Sequence, residues 1–297
     1  MTPDRRLIRV TVAAVAARGG TPLDFALERN TTGTPMKPLH RLLASRLIKL
    51  AANLLKLACY AFHFAFPDKR FTLPTRDGPW IRSRHPAAIP RILWQTNFTD
   101  RVTLPVYLNY LFNRCMAPGF EYRFMITEAR ADFIRQHYSE QTFRNYSRLR
   151  IGAAQADFWR VLVLQAHGGV YLDIDAHLTW PLGRLLGPDR SSLFIRTKRD
   201  TLNNFFIASA PNSPHLKAVI QAIGTNIEEN TIKGVFDMTG PGVFNRVLDV
   251  HRLDTVLYRY ACIQGSFTNE HFQYLDKPQG KWNQEQKHSA VVGEDIA

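Results

Sequence analysis

Residues 151–182, IGAAQADFWRVLVLQAHGGVYLDIDAHLTWPL, limit what this chain can fold into more than any other stretch. Ala153, Ala154, Ala156, Phe158, Trp159, Val161, Leu162, Val163, Leu164 and Ala166 leave almost no polar face, and a helix apolar on all sides belongs in a domain core. Gly168 and Gly169 follow where a left-handed cap is expected. Val170, Tyr171, Leu172 and Ile174 form a short apolar run that suits a central strand. Asp157 and Arg160 stand three apart and so share one helix face. Two charges on a buried helix are costly unless they are paired or used. Asp173 and Asp175 close the strand. Side chains at i and i+2 of a strand point the same way, so both carboxylates are expected on one side. There they can hold a hard divalent cation, Mg²⁺ or Mn²⁺, which shares its oxygen shell with substrate phosphates.

The spaced run A-A-x-x-D-x-x-R-x-x-x-L-x-x-x-G-G-x-Y-L-D-x-D, here Ala153 to Asp175, resembles the sugar-transferase segment of glycosyltransferase family 32. That family includes the yeast initiating α-1,6-mannosyltransferase and bacterial capsule and polysaccharide enzymes. The resemblance implies an α/β fold of the GT-A kind, Rossmann-like, with a mostly parallel central sheet and flanking helices. It also implies a UDP- or GDP-sugar donor, a saccharide or glycolipid acceptor, Mn²⁺ or Mg²⁺ as cofactor, and retention at the anomeric carbon. By the same resemblance Asp175 binds the metal, and Asp173 assists by metal or ribose contact. Asp157 then meets ribose or sugar hydroxyls, with Arg160 near the sugar.

Other segments extend the likeness. Residues 89–96 are similar to the family's I-P-K-I-I-H-Q-T-W, with Trp94 in place of its His and Asn97 in place of its final Trp. The loop after the first strand of an α/β sheet commonly faces the nucleotide, so Trp94 and Gln95 are donor-side candidates, with Phe98 a second choice for stacking on the base. Asn203 and Asn204 open a segment resembling one whose Asn faces the donor sugar, and amides bind hydroxyls without charge. Thr239-Gly240-Pro241 is similar to a T-G-P that lines the acceptor side. In the tail, Trp282 and His288 lie where the family has a Trp and metal- or phosphate-facing polar residues. Trp282 is expected at the substrate and His288 as a third metal ligand, although the family's H-H-x-x-x-S-W pattern is absent.

With 297 residues and 45% hydrophobic content, the chain can bury a large α/β domain plus an appendage. Its net charge of +13 is uneven. Residues 1–66 hold ten Lys and Arg against three Asp and Glu, about half of the excess. That concentration favours an anionic membrane surface over nucleic acid as partner. Cys59, Cys115 and Cys262 are far apart and suggest neither a disulfide framework nor a zinc site.

Three parts are expected. Residues 1–36 read as poorly ordered or as a non-native extension, with Met36 a possible start. Residues 37–88 read as a basic amphipathic helix and a Pro-rich linker, and residues 89–297 as the transferase domain. In the helix, Leu43, Leu47, Leu50, Leu54, Leu57 and Ala61 recur at helical spacing, and Arg41, Ser45, Lys49, Asn53 and Lys56 mark the opposite side. The charge-free stretch after Lys56 is ten residues, below the roughly 20 that a spanning helix needs. It reads as an interfacial helix, and the alternative is an ordinary helix packed on the domain. The expected location is the cytoplasmic face of the inner membrane in a bacterium, or a Golgi type II anchor in a eukaryote. Beyond the central stretch, helices are expected at 104–115, 128–138, 213–229 and 243–252, and strands at 122–126, 193–197, 204–209 and 270–274. Two rival readings stand beside the transferase. An aspartyl-phosphate phosphatase also uses a strand ending in D-x-D, and a non-enzymatic basic membrane adaptor would account for the charge alone.

Overall fold

The computed structural model describes residues 39–82 and 86–293. The expectations for residues 1–36 and for Met36 lie outside them. Arg41 onward belongs to one compact unit. In chain order it contains α1 (Leu39–Ala65), β1 (Phe71–Thr72), β2 (Arg76–Asp77), β3 (Ile92–Thr96), β4 (Arg101–Val102), α2 (Leu104–Met116) and β5 (Glu121–Met125). Next come α3 (Thr127–His137), α4 (Glu140–Arg148), α5 (Gly152–His167), β6 (Gly169–Leu172), β7 (Ala176–Leu178) and α6 (Leu182–Leu186). Then follow β8 (Ser192–Arg196), β9 (Leu202–Ser209), α7 (Pro214–Glu229), α8 (Val235–Met238) and α9 (Pro241–Val247). The chain ends with β10 (Thr255–Leu257), β11 (Cys262–Gln264), α10 (Glu270–Gln273) and α11 (Trp282–His288).

The main sheet has seven strands in the order β10-β8-β9-β6-β3-β5-β2. Pairing is parallel for β10–β8, β3–β6 and β3–β5, and antiparallel for β8–β9, β6–β9 and β2–β5. Five strands therefore run one way, and β9 and β2 run against them. This is the mostly parallel α/β sheet expected of a GT-A fold.

Alternate residues of each strand feed two cores. Trp94, Tyr171, Phe194 and Ile207 join α5, α7 and α9 on one face. Leu93, Val170, Leu172, Leu193, Ile195 and Phe206 join α2 and α6 on the other. The sheet is thus covered on both sides, as a largely parallel sheet must be. The Gly168-Gly169 stop is forced by close packing. Gly168 has φ +64, and a Cβ there would sit 2.8 Å from atoms of Pro90 and Pro211. Gly169 has φ +107, with Ile92 O 2.7 Å from where its Cβ would be.

The structure differs from expectation in four places. β6 stops at Leu172, so Asp173 and Asp175 lie in the turn that leads to β7. The turn brings them together, closed by the Ala176 amide on the Asp173 carbonyl at 3.0 Å, and the strand argument for a shared side does not apply. Residues 270–273 form a helix where a strand was expected, because Asn269 accepts from the Phe272 amide and caps it. The 243–252 helix ends at Val247, and Val250–Arg252 is a separate 3₁₀ turn capped by Asp249.

The fourth is α1. It packs on the domain, but through small and polar side chains. Ser45, Ala52, Cys59 and His63 are buried, whereas Leu43, Leu47, Leu50, Leu54 and Leu57 are at least half exposed. A surface helix ordinarily buries its apolar stripe, and α1 presents it outward.

Candidate active site

The C-terminal ends of β3 and β6, the start of α3 and the N-terminal half of α5 open onto a cavity of about 500 Å³. In an open α/β sheet the crevice beyond the carboxyl ends of the strands is where ligands bind. Asp157, Arg160, Asp173, Asp175, Asn203, Asn204 and Trp282 all line it.

The Asp173–Asp175 turn is held from below by amide side chains. Asn109 on α2 donates Nδ2 to the carbonyls of Ile174 and Ala176, at 2.8 and 2.9 Å. Asn113, one helical turn on, donates to the Ala176 carbonyl and accepts from the Leu178 amide, both at 2.9 Å. Gln95 donates to the Asp173 carbonyl at 3.1 Å. With its backbone thus tied, the turn projects both carboxylates.

Asp173 Oδ1 accepts from the Tyr171 hydroxyl at 2.6 Å and lies 3.2 Å from an Arg160 nitrogen. Gln264, on β11, donates to Asp173 Oδ2 at 3.0 Å and to Asp175 Oδ1 at 3.2 Å. Burial, and then the charge on Asp173, push the Asp175 carboxyl up to about 7. A neutral amide bridges two carboxylates whose joint ionisation the site resists, and a cation would relieve that repulsion. The donors are hard oxygens, as Mn²⁺ and Mg²⁺ prefer. The pair therefore fits a divalent ion, with Asp173 and Asp175 as the protein ligands. Among the described residues no cluster of three or more His, Cys, Asp or Glu forms a complete metal cage.

Beside this pair, Asp157 Oδ1 lies 2.9 Å from Arg160 and accepts from Asn204 Nδ2 at 2.9 Å. Its Oδ2 accepts from the Thr239 hydroxyl at 3.3 Å. Burial pushes the Asp157 carboxyl up to about 6 against the pull of Arg160. Arg160 also donates to the Asn204 carbonyl at 2.8 Å, and its guanidinium lies 4.4 Å over the Tyr171 ring. Burial works against its charge, yet Asp173 and Asp157 hold it cationic. Asp157, Arg160, Asn204, Thr239, Tyr171 and Asp173 form one network across α5, β6, β9 and the turn before α9.

Residues 105–193 match the family model described as "Glycosyltransferase sugar-binding region containing DXD motif". That match, with the relatives that follow, supports kinship with the DXD-type glycosyltransferases of family 32. A glycosyltransferase region at these residues leaves the phosphatase and the non-enzymatic adaptor without support.

This glycosyltransferase is 27% identical over 193 residues to "Uncharacterized glycosyltransferase L373" of Acanthamoeba polyphaga mimivirus, covering 64% of this chain and 76% of that one. It is 23% identical over 223 residues to the "Initiation-specific alpha-1,6-mannosyltransferase" of Schizosaccharomyces pombe, covering 65% and 54%. It is also 27% identical over 164 residues to "Mannosyl phosphorylinositol ceramide synthase CSH1" of Saccharomyces cerevisiae, covering 54% and 42%. The chain thus spans about half the length of the two yeast proteins it matches. Among solved structures, the PaToxG glycosyltransferase aligns with a TM-score of 0.46 at 16% identity, covering 71% of this chain and 78% of that one.

Three residues expected at the glycosyltransferase site do not reach the cavity. Trp94 is wholly buried; its indole donates to the Gly168 carbonyl at 3.0 Å and stacks on His167, sealing the α5–β6 junction. Gln95 is buried beneath Asp173 and acts on the backbone. His288 is exposed in the last turn of α11 and is not among the lining residues. Phe98, the second choice for stacking, does line the cavity.

The sequence reading missed Gln264, Asn109, Asn113 and Arg130. Arg130 lines the cavity, is 2% exposed, and its Nε has no hydrogen-bond partner. The i, i+4 asparagines on one face of α2 were a usable signal. Gln264 carried none, because only the fold brings it to the aspartates.

Proposed function

We propose that this glycosyltransferase moves a hexose from a UDP- or GDP-sugar to a hydroxyl of a saccharide or glycolipid acceptor, with retention, in polysaccharide or glycolipid synthesis at a membrane surface. The observation that carries the reading is that the carboxylate pair and the Asp157–Arg160 pair face one cavity that also holds Arg130, Arg150, Lys277 and Lys281. Acidic and basic side chains around one space suit a cation and a diphosphate together.

Asp173 and Asp175 would hold Mn²⁺ or Mg²⁺, which, when bound, supplies positive charge against the leaving diphosphate. The protein's own cations add to that stabilisation from positions fixed before the reaction. Asp157, oriented by Arg160, Asn204 and Thr239, is placed to accept from sugar or ribose hydroxyls. Asn203 offers an uncharged amide to the sugar, and Phe98 and Trp282 offer ring faces. On this reading the acceptor hydroxyl attacks from the side the diphosphate leaves, so the configuration at the anomeric carbon is kept.

A screen of UDP- and GDP-hexoses with Mn²⁺, then with EDTA, tests the proposal. Turnover of one donor, lost with EDTA and lost by at least about a hundredfold in Asp175→Ala, is the expected result. Circular dichroism of that variant should match the parent chain. Normal turnover in Asp175→Ala would sink the assignment.

A further inference from the structure

The inverted orientation of α1 asks for an occupant. Ser45, Ala52 and Cys59 recur every seven residues, two helical turns, and form the buried seam. The outer side exposes Leu43, Leu47, Leu50, Leu54 and Leu57, with Phe64 92% exposed beyond them. An exposed apolar band over most of a helix about 40 Å long marks an interaction surface. Its charge identifies the partner. α1 has no Asp or Glu; Arg41 lies over the Trp180 ring and Lys56 bonds the Gly265 carbonyl, while Arg46 and Lys49 are exposed. An exposed leucine band bordered by Arg46 and Lys49, with no acidic side chain on the helix, is complementary to the headgroups and acyl boundary of an anionic bilayer. Among the described residues no helix is long and apolar enough to cross a membrane, so α1 would lie in the interface plane.

The inner face of α1 meets the segment that walls the cavity. Lys56 Nζ donates to the Gly265 carbonyl at 2.8 Å, next to the Gln264 that bridges the aspartates. Asn269 donates to the Tyr60 hydroxyl at 2.7 Å, and Tyr60 and His63 pack on Phe272. The same segment supplies Gln264, Glu270, Gln273 and Tyr274 to the cavity.

We infer that the outward leucine face of α1 seats on an anionic lipid surface, and that this seating steadies the 264–274 wall of the sugar-transfer site. The inference rests on the membrane-surface placement proposed above and adds the contact face and its coupling to the site.

The test uses the full chain and vesicles of phosphatidylcholine, alone or with about a third phosphatidylglycerol. The parent chain should sediment with the anionic vesicles and release as salt rises. Amide exchange across 264–274 should slow when they are added. Leu47→Glu with Leu54→Glu changes only exposed positions, so the melting temperature should hold while vesicle affinity falls by about tenfold or more. Asp175→Ala should bind vesicles like the parent chain, so the lipid seat and the transfer chemistry fail separately. No sedimentation of the parent chain, equal binding to neutral vesicles, or unchanged binding of the double variant would each overturn the inference. So would a parent chain that dimerises and ignores lipid, since a second copy would then cover the leucines. Vesicle binding with unchanged exchange across 264–274 would overturn the coupling.

Discussion

At the scale of single residues, Arg160 is the hinge of the site's electrostatics. It is the cation between Asp157 and Asp173, at 2.9 and 3.2 Å. Arg160→Leu strands both carboxylates in a poorly solvated place and should cost about 3–5 kcal/mol, read as a lower midpoint in urea unfolding. Gln264 works differently. Gln264→Leu removes the amide shared by Asp173 and Asp175 and should weaken Mn²⁺ binding by about 10–100-fold, with little change in melting temperature in EDTA. A titration of Mn²⁺-dependent turnover separates the two variants. Asp157, Arg160, Asp173 and Asp175 were legible in the sequence because they sit at fixed spacings in one 19-residue stretch. Gln264 was not, since 89 residues separate it from Asp175 and no local pattern links them.

At the scale of elements, α2 fastens the Asp173–Asp175 turn from the far side of the sheet. Asn113→Ala leaves the Ala176 carbonyl short of one donor and the Leu178 amide without its acceptor, both buried. Unmade buried hydrogen bonds cost about 1–3 kcal/mol, so the variant should melt lower. Its turnover should also fall, because the carboxylates lose their footing. Asn113→Asp, which keeps the acceptor alone, should fall between. Hydrophobic period placed α2, β5, α3, α5, β6, β8, β9 and α7 near their observed positions, because long buried elements carry that signal. The 270–273 segment was misjudged because its helix depends on the Asn269 cap more than on any apolar period. Trp94 was misjudged for a related reason. Its place in the chain suggested the ligand, but alternation along β3 sends it into the α5 core.

At the scale of the whole molecule, folding and metal binding should be linked. An ion that binds only the folded chain stabilises it, by about 1.4 kcal/mol at ten times its Kd, a rise of about 2–4 °C in melting temperature for a chain of this size. Mn²⁺ should give this rise in the parent chain and none in Asp175→Ala, as differential scanning fluorimetry would read. The amphipathic period of α1 was plain in the sequence; the face it turns to the protein was not, because period alone does not say which stripe is held. The seam that holds α1 includes Cys59, 1% exposed, whereas Cys115 stands open on the surface. A thiol reagent will therefore mark Cys115 promptly, and Cys59 only when the helix lifts away. The gap between the two labelling rates is a stopwatch, native to the chain, for how often its outermost helix lets go.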